Sequence, residues 1–344
     1  MSANVFGNLF QVMTFGESHG PGLGAVIDGC PAGVAFDSEL LTQNLRRRRP
    51  GQSAITTSRR EEDHPEILSG VFEGKTLGTP IAIVVRNKNQ DSAAYTSEVL
   101  KTRPGHATDL WQSKFGHSDP RGSGRASGRE TLSRVLGGSV AQMALQNLFP
   151  ELKVLGFVSQ VGDQALSKDE VLKISAAGLR GEILVDDFQT RIPNVKLDSA
   201  VTSVLLKAKE EGESYGGLID IFASGVPAHL GQPVFKKLKS EMSSAFMSVG
   251  AVNSVEVGFA HEFRILNGTK FHGDASSYGG LRGGISTGEN LHFRVGFKPP
   301  ATLGENAKKG RHDPCILPRA VPVLEAMAHM VLLDQVLWSR RDRL

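Results

Sequence analysis

The sequence predicts an α+β fold with antiparallel sheets. Short stretches of strict apolar alternation read as strands, and longer stretches with an apolar stripe at helical spacing read as helices. Their order along the chain lacks the strand–helix alternation that a doubly wound parallel sheet requires.

Taken in chain order, Leu9–Phe15 is strand-like. Asp37 is placed to cap a helix that carries Leu40, Leu41 and Leu45 on one face and stops at Pro50-Gly51. Its last turn holds Arg46, Arg47, Arg48 and Arg49. At ~100° per residue these radiate around the axis, so one or two enter any one pocket and the others complement the helix end or face water. Ile81–Val85 is a continuous apolar run suited to a buried strand. Ser127-Gly128-Arg129-Glu130 has the pattern of a capping box. The helix behind it carries a stripe of Leu132, Val135, Leu136, Val140, Met143, Ala144 and Leu148. Gly137 and Gly138 inside that helix cost roughly 1 kcal/mol each against Ala, which implies close packing there. Ser254–Phe259 and Leu291–Phe297 alternate as half-buried strands. A last helix, from about Pro322 to Trp338, is apolar on most sides, as burial or a subunit interface would require.

Composition narrows the class. The 344 residues contain no Ser/Pro linker or low-complexity tract, so a single unit over residues 1–344 is expected, and the repeated Ser-Tyr-Gly-Gly-Leu string at 214–218 and 277–281 marks reused turns. A hydrophobic fraction of 40% with 22% charged residues excludes wholesale disorder. No apolar run approaches the ~18 residues of a membrane helix, and the N-terminus lacks signal-peptide features. Cys30 and Cys315 form neither a disulfide framework nor a zinc-ligand spacing. A soluble, reduced, cytoplasmic protein without a metal site follows as the expectation. Net charge is only +3, yet six arginines lie between Arg46 and Arg60 with no acid before Glu61. A second basic stretch holds Arg103, Lys114, Arg121, Arg125, Arg129 and Arg134. Two such stretches in Gly-rich surroundings predict an anionic partner: a phosphorylated small molecule, a nucleic acid or a membrane surface.

Four segments carry candidate chemistry. Gly16-Glu17-Ser18-His19-Gly20 puts an imidazole on a loop after a strand, and Arg103-Pro104-Gly105-His106 repeats that design with an arginine nearby. Histidine donates and accepts protons near neutral pH, and a neighbouring cation favours its neutral form. Asp119–Glu130 is a Gly-rich, Arg-spaced loop that runs into a helix start, and so combines amides, a positive dipole end and guanidinium forks for a phosphate or dianion. It matches neither the Walker loop nor the dinucleotide fingerprint. Gly310-Arg311-His312-Asp313-Pro314-Cys315 groups a cation, an imidazole, a carboxylate and a thiol before the last helix, with Cys315 itself read as a small buried residue. Gly284-Ile285-Ser286-Thr287-Gly288 fits the serine-hydrolase elbow, with Asp313 and His329 in the right chain order, but a strand follows where the elbow needs a helix.

Together these segments resemble the chorismate synthase family, and the resemblance covers essentially the whole chain. It runs through Thr14–Gly20, Asp28–Gly33, Arg47–Gly51, Leu68–Gly74, Arg103–Glu130, Gly279–Gly288 and Gly310–Met327. It implies a β-α-β sandwich with a helical layer between antiparallel sheets, a homotetramer, and a lyase that makes chorismate. That lyase removes the 3-phosphate and a C6 hydrogen from 5-enolpyruvylshikimate 3-phosphate, using reduced FMN without net redox change. Residue by residue, His19 and His106 match the family's proton donors. One of them serves the departing phosphate and the other the protonation state of the reduced flavin. Asp313 matches the carboxylate that works with flavin N5 in removing the C6 proton. Arg48, Arg103 and Arg129 match substrate-anion positions, which suits a substrate with one phosphate and two carboxylates. Arg48 also falls in the cofactor set. With it go Arg125, Ala126, Ser127, Gly250, Ala251, Gly283, Lys298, Pro299, Pro300, Ala301, Thr302 and Arg311. No reductase segment or Rossmann fingerprint is visible, so an external flavin reductase or NADPH source is expected to supply reduced FMN.

The chain departs from the family pattern at several points. Thr108 stands where the family has Asp, with Asp109 one residue later, and Gly128 replaces Ala. Ala54 stands where an Arg is usual, Gly250 replaces the Asn of an Asn-Ala pair, and the Lys298–Arg311 segment is short. These differences bear on FMN affinity and on closure of the site. They leave two alternatives: a flavin-binding relative with weakened turnover, or a polyanion or nucleic-acid binder. The latter lacks interleaved aromatic residues, since only 6% of the chain is aromatic.

Overall fold

The computed structural model describes residues 3–51, 53, 55, 56, 62–87, 105–119, 121–309 and 312–342. Its first strands are β1 (Val5–Phe6), β2 (Gln11–Phe15), β3 (Gly22–Asp28), β4 (Pro65–Ile67), β5 (Val71–Phe72), β6 (Lys75–Thr76) and β7 (Ile81–Arg86). The later ones are β8 (Lys153–Val161), β9 (Gln164–Ala165), β10 (Gly217–Ser224), β11 (Val252–Val257), β12 (Leu281–Arg282), β13 (Ile285–Ser286) and β14 (Leu291–Phe297). They form two five-stranded antiparallel sheets, ordered β1-β2-β3-β7-β4 and β11-β14-β10-β8-β9, and two short hairpins, β5-β6 and β12-β13.

Two helices fill the space between the sheets. The Thr131–Leu148 helix packs on β2 and β3, the Leu317–Ser339 helix packs on β8 and β10, and the two pack on each other. The glycine pair explains how they approach so closely. A Cβ on Gly138 would stand 2.3 Å from the Ala326 Cβ, and one on Gly137 would stand 2.8 Å from Val12 Cγ1. The expected β-α-β sandwich is therefore the observed one, with the Ser38–Arg48 helix packed against both central helices. Asp37 caps that helix as predicted and accepts from the Glu39 and Leu40 amides.

Several local expectations are corrected. Strand β2 starts at Gln11, because the Asp334 carboxylate takes the amides of Asn8, Leu9 and Phe10 and draws that segment onto the end of the C-terminal helix. In β7 only Ile81, Ile83 and Val85 are fully buried, so this strand alternates. Strand β11 ends at Val257 because Gly258 takes φ +57°. Ser127 caps a 3₁₀ turn, Gly128–Glu130, by accepting from the Arg129 amide, while Glu130 turns to Arg134 and leaves no capping box. The capping box that does form, Ser167 with Glu170, opens the Lys168–Arg180 helix. The last helix starts at Leu317, with Pro318 in its first turn, so Pro322 is interior and not its beginning.

Strand β14 is buried on both faces. His292 and Arg294, on its polar face, meet the buried Asp220 of β10 at 2.5 and 3.1 Å, and Phe259 covers the His292 ring at 4.7 Å. The Leu317–Ser339 helix is long and apolar enough to cross a membrane by length and composition, but 94% of its most apolar window is buried. Glu325, His329, Asp334 and Gln335 interrupt that apolar surface and are all buried.

Glu325 and His329, with Asn44, Arg47 and Gln142, line a polar cavity of about 40 Å³. Desolvation is the main cause that pushes the His329 imidazole from 6.5 down to about 4; the hydrogen bond that the ring donates to the Glu325 carbonyl opposes it, and the Arg47 charge adds to it. The unfolded chain therefore binds a proton that the native state refuses. The neutral ring's contribution is complete above pH 6.5 and is lost as pH falls towards 4, and it amounts to about 3 kcal/mol. His329→Gln is expected to flatten the urea-midpoint profile over this window, and profiles parallel to those of the unchanged protein would contradict the assignment.

Candidate active site

The loop between β2 and β3 carries Ser18 and His19. Its backbone is fixed by the Ser18 amide, which donates to the Gly124 carbonyl at 3.3 Å. The facing turn, Arg121–Ala126, holds Gly122 at φ +58°, Ser123 at φ +68° and Gly124 at φ +51°. Gly122 is required by its neighbours as well as by its backbone. A Cβ there would stand 2.5 Å from His19 Cδ2, 2.6 Å from His19 Nε2 and 2.9 Å from Ser18 Oγ. His19 is only 3% exposed, so it has little room to move away.

Beside this loop two guanidinium groups converge on one carboxylate. Arg48, from the end of the Ser38–Arg48 helix, reaches Asp63 at 2.8 Å, and Arg129, from the 3₁₀ turn, reaches it at 2.6 Å. All three are buried. Desolvation works to raise the Asp63 pKa, but the attractions of Arg48 and then Arg129 outweigh it and hold the carboxyl below its ordinary range. Asn87 completes the junction: it accepts from Arg129 at 3.0 Å and donates to the carbonyls of Ser18 and Gly20 at 3.2 and 2.8 Å. Arg129 and the His19 loop thus form one assembly.

The other predicted positions join from neighbouring elements. Arg125 donates to Thr14 Oγ1 at 2.7 Å and to the Gly16 carbonyl at 3.2 Å, which ties its own loop to β2. Lys298 donates through its amide to the Ala251 carbonyl at 2.9 Å and through Nζ to the Gly105 carbonyl at 2.7 Å. It therefore links the Gly250-Ala251 turn to the half-buried His106. Asp313 is buried and ion-paired to Arg319, whose Nε donates to the Arg48 carbonyl at 3.3 Å. Pro299, Pro300, Ala301 and Thr302 run on from β14, with the Pro300 carbonyl accepting from Ser214 Oγ at 2.9 Å. Gly283 is exposed at the turn of the β12-β13 hairpin, beside Gly284, whose carbonyl accepts from the Lys239 amide at 3.3 Å. Arg103, Arg311 and Ala54 lie outside the described residues. Ala126 and Ser127 are half-buried between Arg125 and Arg129. Thr108 opens the Thr108–Phe115 helix, and Asp109 is exposed on its first turn.

Asp63, Asn87 and Arg319 have no site role in the expectations above, and Arg134 figures there only as one of a basic stretch. The acidic Glu61-Glu62-Asp63 triplet just after the arginine run was the available signal for Asp63, because buried guanidinium groups need a counter-charge. Arg134 bridges Glu130 to Ser248, next to Gly250. Arg47 also differs from expectation. It neither enters the site nor faces water but pairs with Asp186 and Glu325 at 2.6 and 2.5 Å.

The residues suit an anionic cofactor beside an anionic substrate. Ser18 Oγ is buried without a hydrogen-bond partner among the described residues, and no atom lies within 4 Å of a Cβ placed on Gly250 or Gly283. Lys298 and the arginines supply the positive charge. Among the described residues no group of three or more His, Cys, Asp or Glu is placed to hold a metal ion. Cys315 is buried, and desolvation pushes its thiol up to about 12, so it is no nucleophile. Ser286 lies in the β12-β13 hairpin, donates to the Pro227 carbonyl at 2.7 Å and accepts from the Leu230 amide at 2.8 Å, which leaves no hydrolase elbow.

Comparison with known proteins agrees with this architecture. Residues 10–337 match the family model described as chorismate synthase. The chain is 53% identical over 348 residues to a chorismate synthase of Bdellovibrio bacteriovorus, with all of both chains covered. It is 40% identical over 359 residues to one from Parabacteroides distasonis, covering 97% of this chain and 98% of that one. A solved structure entitled "Crystal Structure of Chorismate Synthase" superposes with a TM-score of 0.76 at 28% identity, over 97% of this chain and 93% of the other. A sandwich of antiparallel sheets around a helical layer, with its histidine and arginine loops gathered at one junction, here accompanies full-length similarity, and the chain belongs to the chorismate synthase family.

Proposed function

We propose that this lyase of aromatic biosynthesis converts 5-enolpyruvylshikimate 3-phosphate to chorismate and phosphate by a 1,4-anti elimination with reduced FMN. The C3–O bond breaks with its electrons leaving on phosphate, the C6–H bond gives up its proton, and the new double bond takes the pair, so the reaction has no net redox change. The observation that carries this reading is the buried Arg48–Asp63–Arg129 cluster joined through Asn87 to the His19 loop.

Each group has a role that follows from its chemistry. Arg48 and Arg129, pre-oriented by Asp63, bind substrate anions with planar forks. His19 supplies a proton to the departing phosphate, and His106 holds one at the cofactor side of the site. Asp313 takes up the C6 proton. Reduced FMN, when bound, supplies electron-rich character that stabilises charge as the C–O bond breaks. Arg125, Ala126, Ser127, Gly250, Ala251, Gly283 and the Lys298–Thr302 segment would hold it, and Arg311 is assigned there by resemblance. The working form is a cytoplasmic homotetramer of one catalytic unit per chain, supplied with reduced FMN from outside. The arginines at its centre engage acceptors within the fold, which favours a small substrate over a polyanion.

His19→Ala and His106→Ala test this reading. Each is expected to lower turnover by about 10²- to 10⁴-fold, the usual worth of a positioned acid or base. Variants as fast as the unchanged protein would overturn it.

A further inference from the structure

We infer that Arg319 is a positioning residue for the elimination, a clamp that holds the Asp313 carboxylate in register with the end of the arginine-bearing helix. The inference rests on the proposed role of Asp313.

Arg319 lies in the first turn of the Leu317–Ser339 helix, six residues after Asp313, and its side chain is largely buried. One arm of the guanidinium, Nη1, pairs with the Asp313 carboxylate, while Nε donates to the Arg48 carbonyl at 3.3 Å. A second arginine braces the same seam: Arg191 donates to the Arg47 carbonyl at 2.9 Å and to the Pro318 carbonyl. The last carbonyls of a helix have no partner within it and need donors from elsewhere. Here the two donors belong to groups that also hold the start of the C-terminal helix. Arg191 also pairs with Asp186 at 2.8 Å, whereas Arg319 extends the seam to the carboxylate assigned to the C6 proton.

The guanidinium geometry explains why arginine stands here. Two donors on a rigid plane serve two acceptors at a fixed separation, and a carboxylate so held loses its freedom to rotate away from the reacting carbon. Lysine keeps the charge but, as a point donor on a flexible stem, does not hold both acceptors at once. The Arg48 guanidinium is held separately by Asp63. Loss of Arg319 should therefore reach the chemical step more than substrate binding.

The test compares Arg319→Ala, Arg319→Lys and Asp313→Asn in turnover with reduced FMN, in binding of 5-enolpyruvylshikimate 3-phosphate to flavin-free protein by calorimetry, and in melting temperature. Arg319→Ala is expected to lower kcat about 30-fold or more while substrate Kd changes less than about threefold, with Arg319→Lys intermediate in kcat. If the alanine variant does not fold, the lysine variant carries the test alone, with kcat down about tenfold and Kd unchanged. Unchanged kcat in the Arg319 variants beside an impaired Asp313→Asn overturns the clamp. So does a parallel loss of kcat, affinity and melting temperature, which marks a merely structural arginine. Full activity in Asp313→Asn would instead remove the reading on which the clamp rests.

Discussion

Gly122→Ala is expected to lower turnover by about 10²-fold or more, although the residue bears no functional group. Two independent costs meet at this position. The backbone at φ +58° is left-handed, which costs an alanine about 1–2 kcal/mol. The larger effect is steric, because the new methyl would lie 2.5 Å from His19 Cδ2 and 2.9 Å from Ser18 Oγ. Something must shift by about an ångström, and misplacement of a catalytic group on that scale costs about 10²-fold in rate. The check is kcat at saturating substrate beside the melting temperature. Turnover within about threefold of the unchanged protein would mean that the Gly122 contact does not position His19.

Asp63→Asn has the second large effect, and it acts on stability. The carboxylate is fully buried between Arg48 and Arg129, which are themselves almost inaccessible. Asparagine keeps the shape and tolerates the residue's positive φ of 48°, so the change isolates the charge. Two guanidinium groups then share a buried site with no counter-charge, and loss of one partner of such a set costs about 3–5 kcal/mol. Denaturant midpoints at neutral pH measure it, and a loss below about 1 kcal/mol would contradict the account. The pH dependence has a definite sign. Because the folded carboxyl lies below its ordinary value of 3.8, its contribution is present above that value and lost as pH falls through the lower folded one. Asp63→Asn should remove this acid-side slope.

The two residues differ in how far the sequence reveals them. Gly122 sits in a Gly-rich, Arg-spaced loop that is visible as an anion-binding pattern, and the structure adds that its missing side chain makes space for His19. For Asp63 the sequence offers only an acidic triplet after the arginine run, because its partners are 15 and 66 residues away and only the fold brings them together. Asp313 and Arg319 stand six residues apart, yet their connection through the Arg48 carbonyl spans 271 residues. The central helices and most strands were legible because periodicity is a local property. The boundaries that failed are at Gln11, where Asp334 takes the amides just before β2, at Thr131, after the 3₁₀ turn that Ser127 caps, and at Leu317, where Pro318 and not Pro322 stands in the first turn. Arg47 illustrates the same limit: angular spacing shows that the four arginines diverge, and tertiary structure decides that Arg47 faces Glu325 while Arg48 faces Asp63.

The junction of the His19 loop with Arg48, Asp63 and Arg129 is proposed to carry out the elimination. An anaerobic assay with dithionite-reduced FMN and 5-enolpyruvylshikimate 3-phosphate, reading chorismate absorbance and released phosphate together, tests it most directly. Both products are expected at equal rates. Phosphate without chorismate, or neither product when FMN and substrate are both bound, would contradict it.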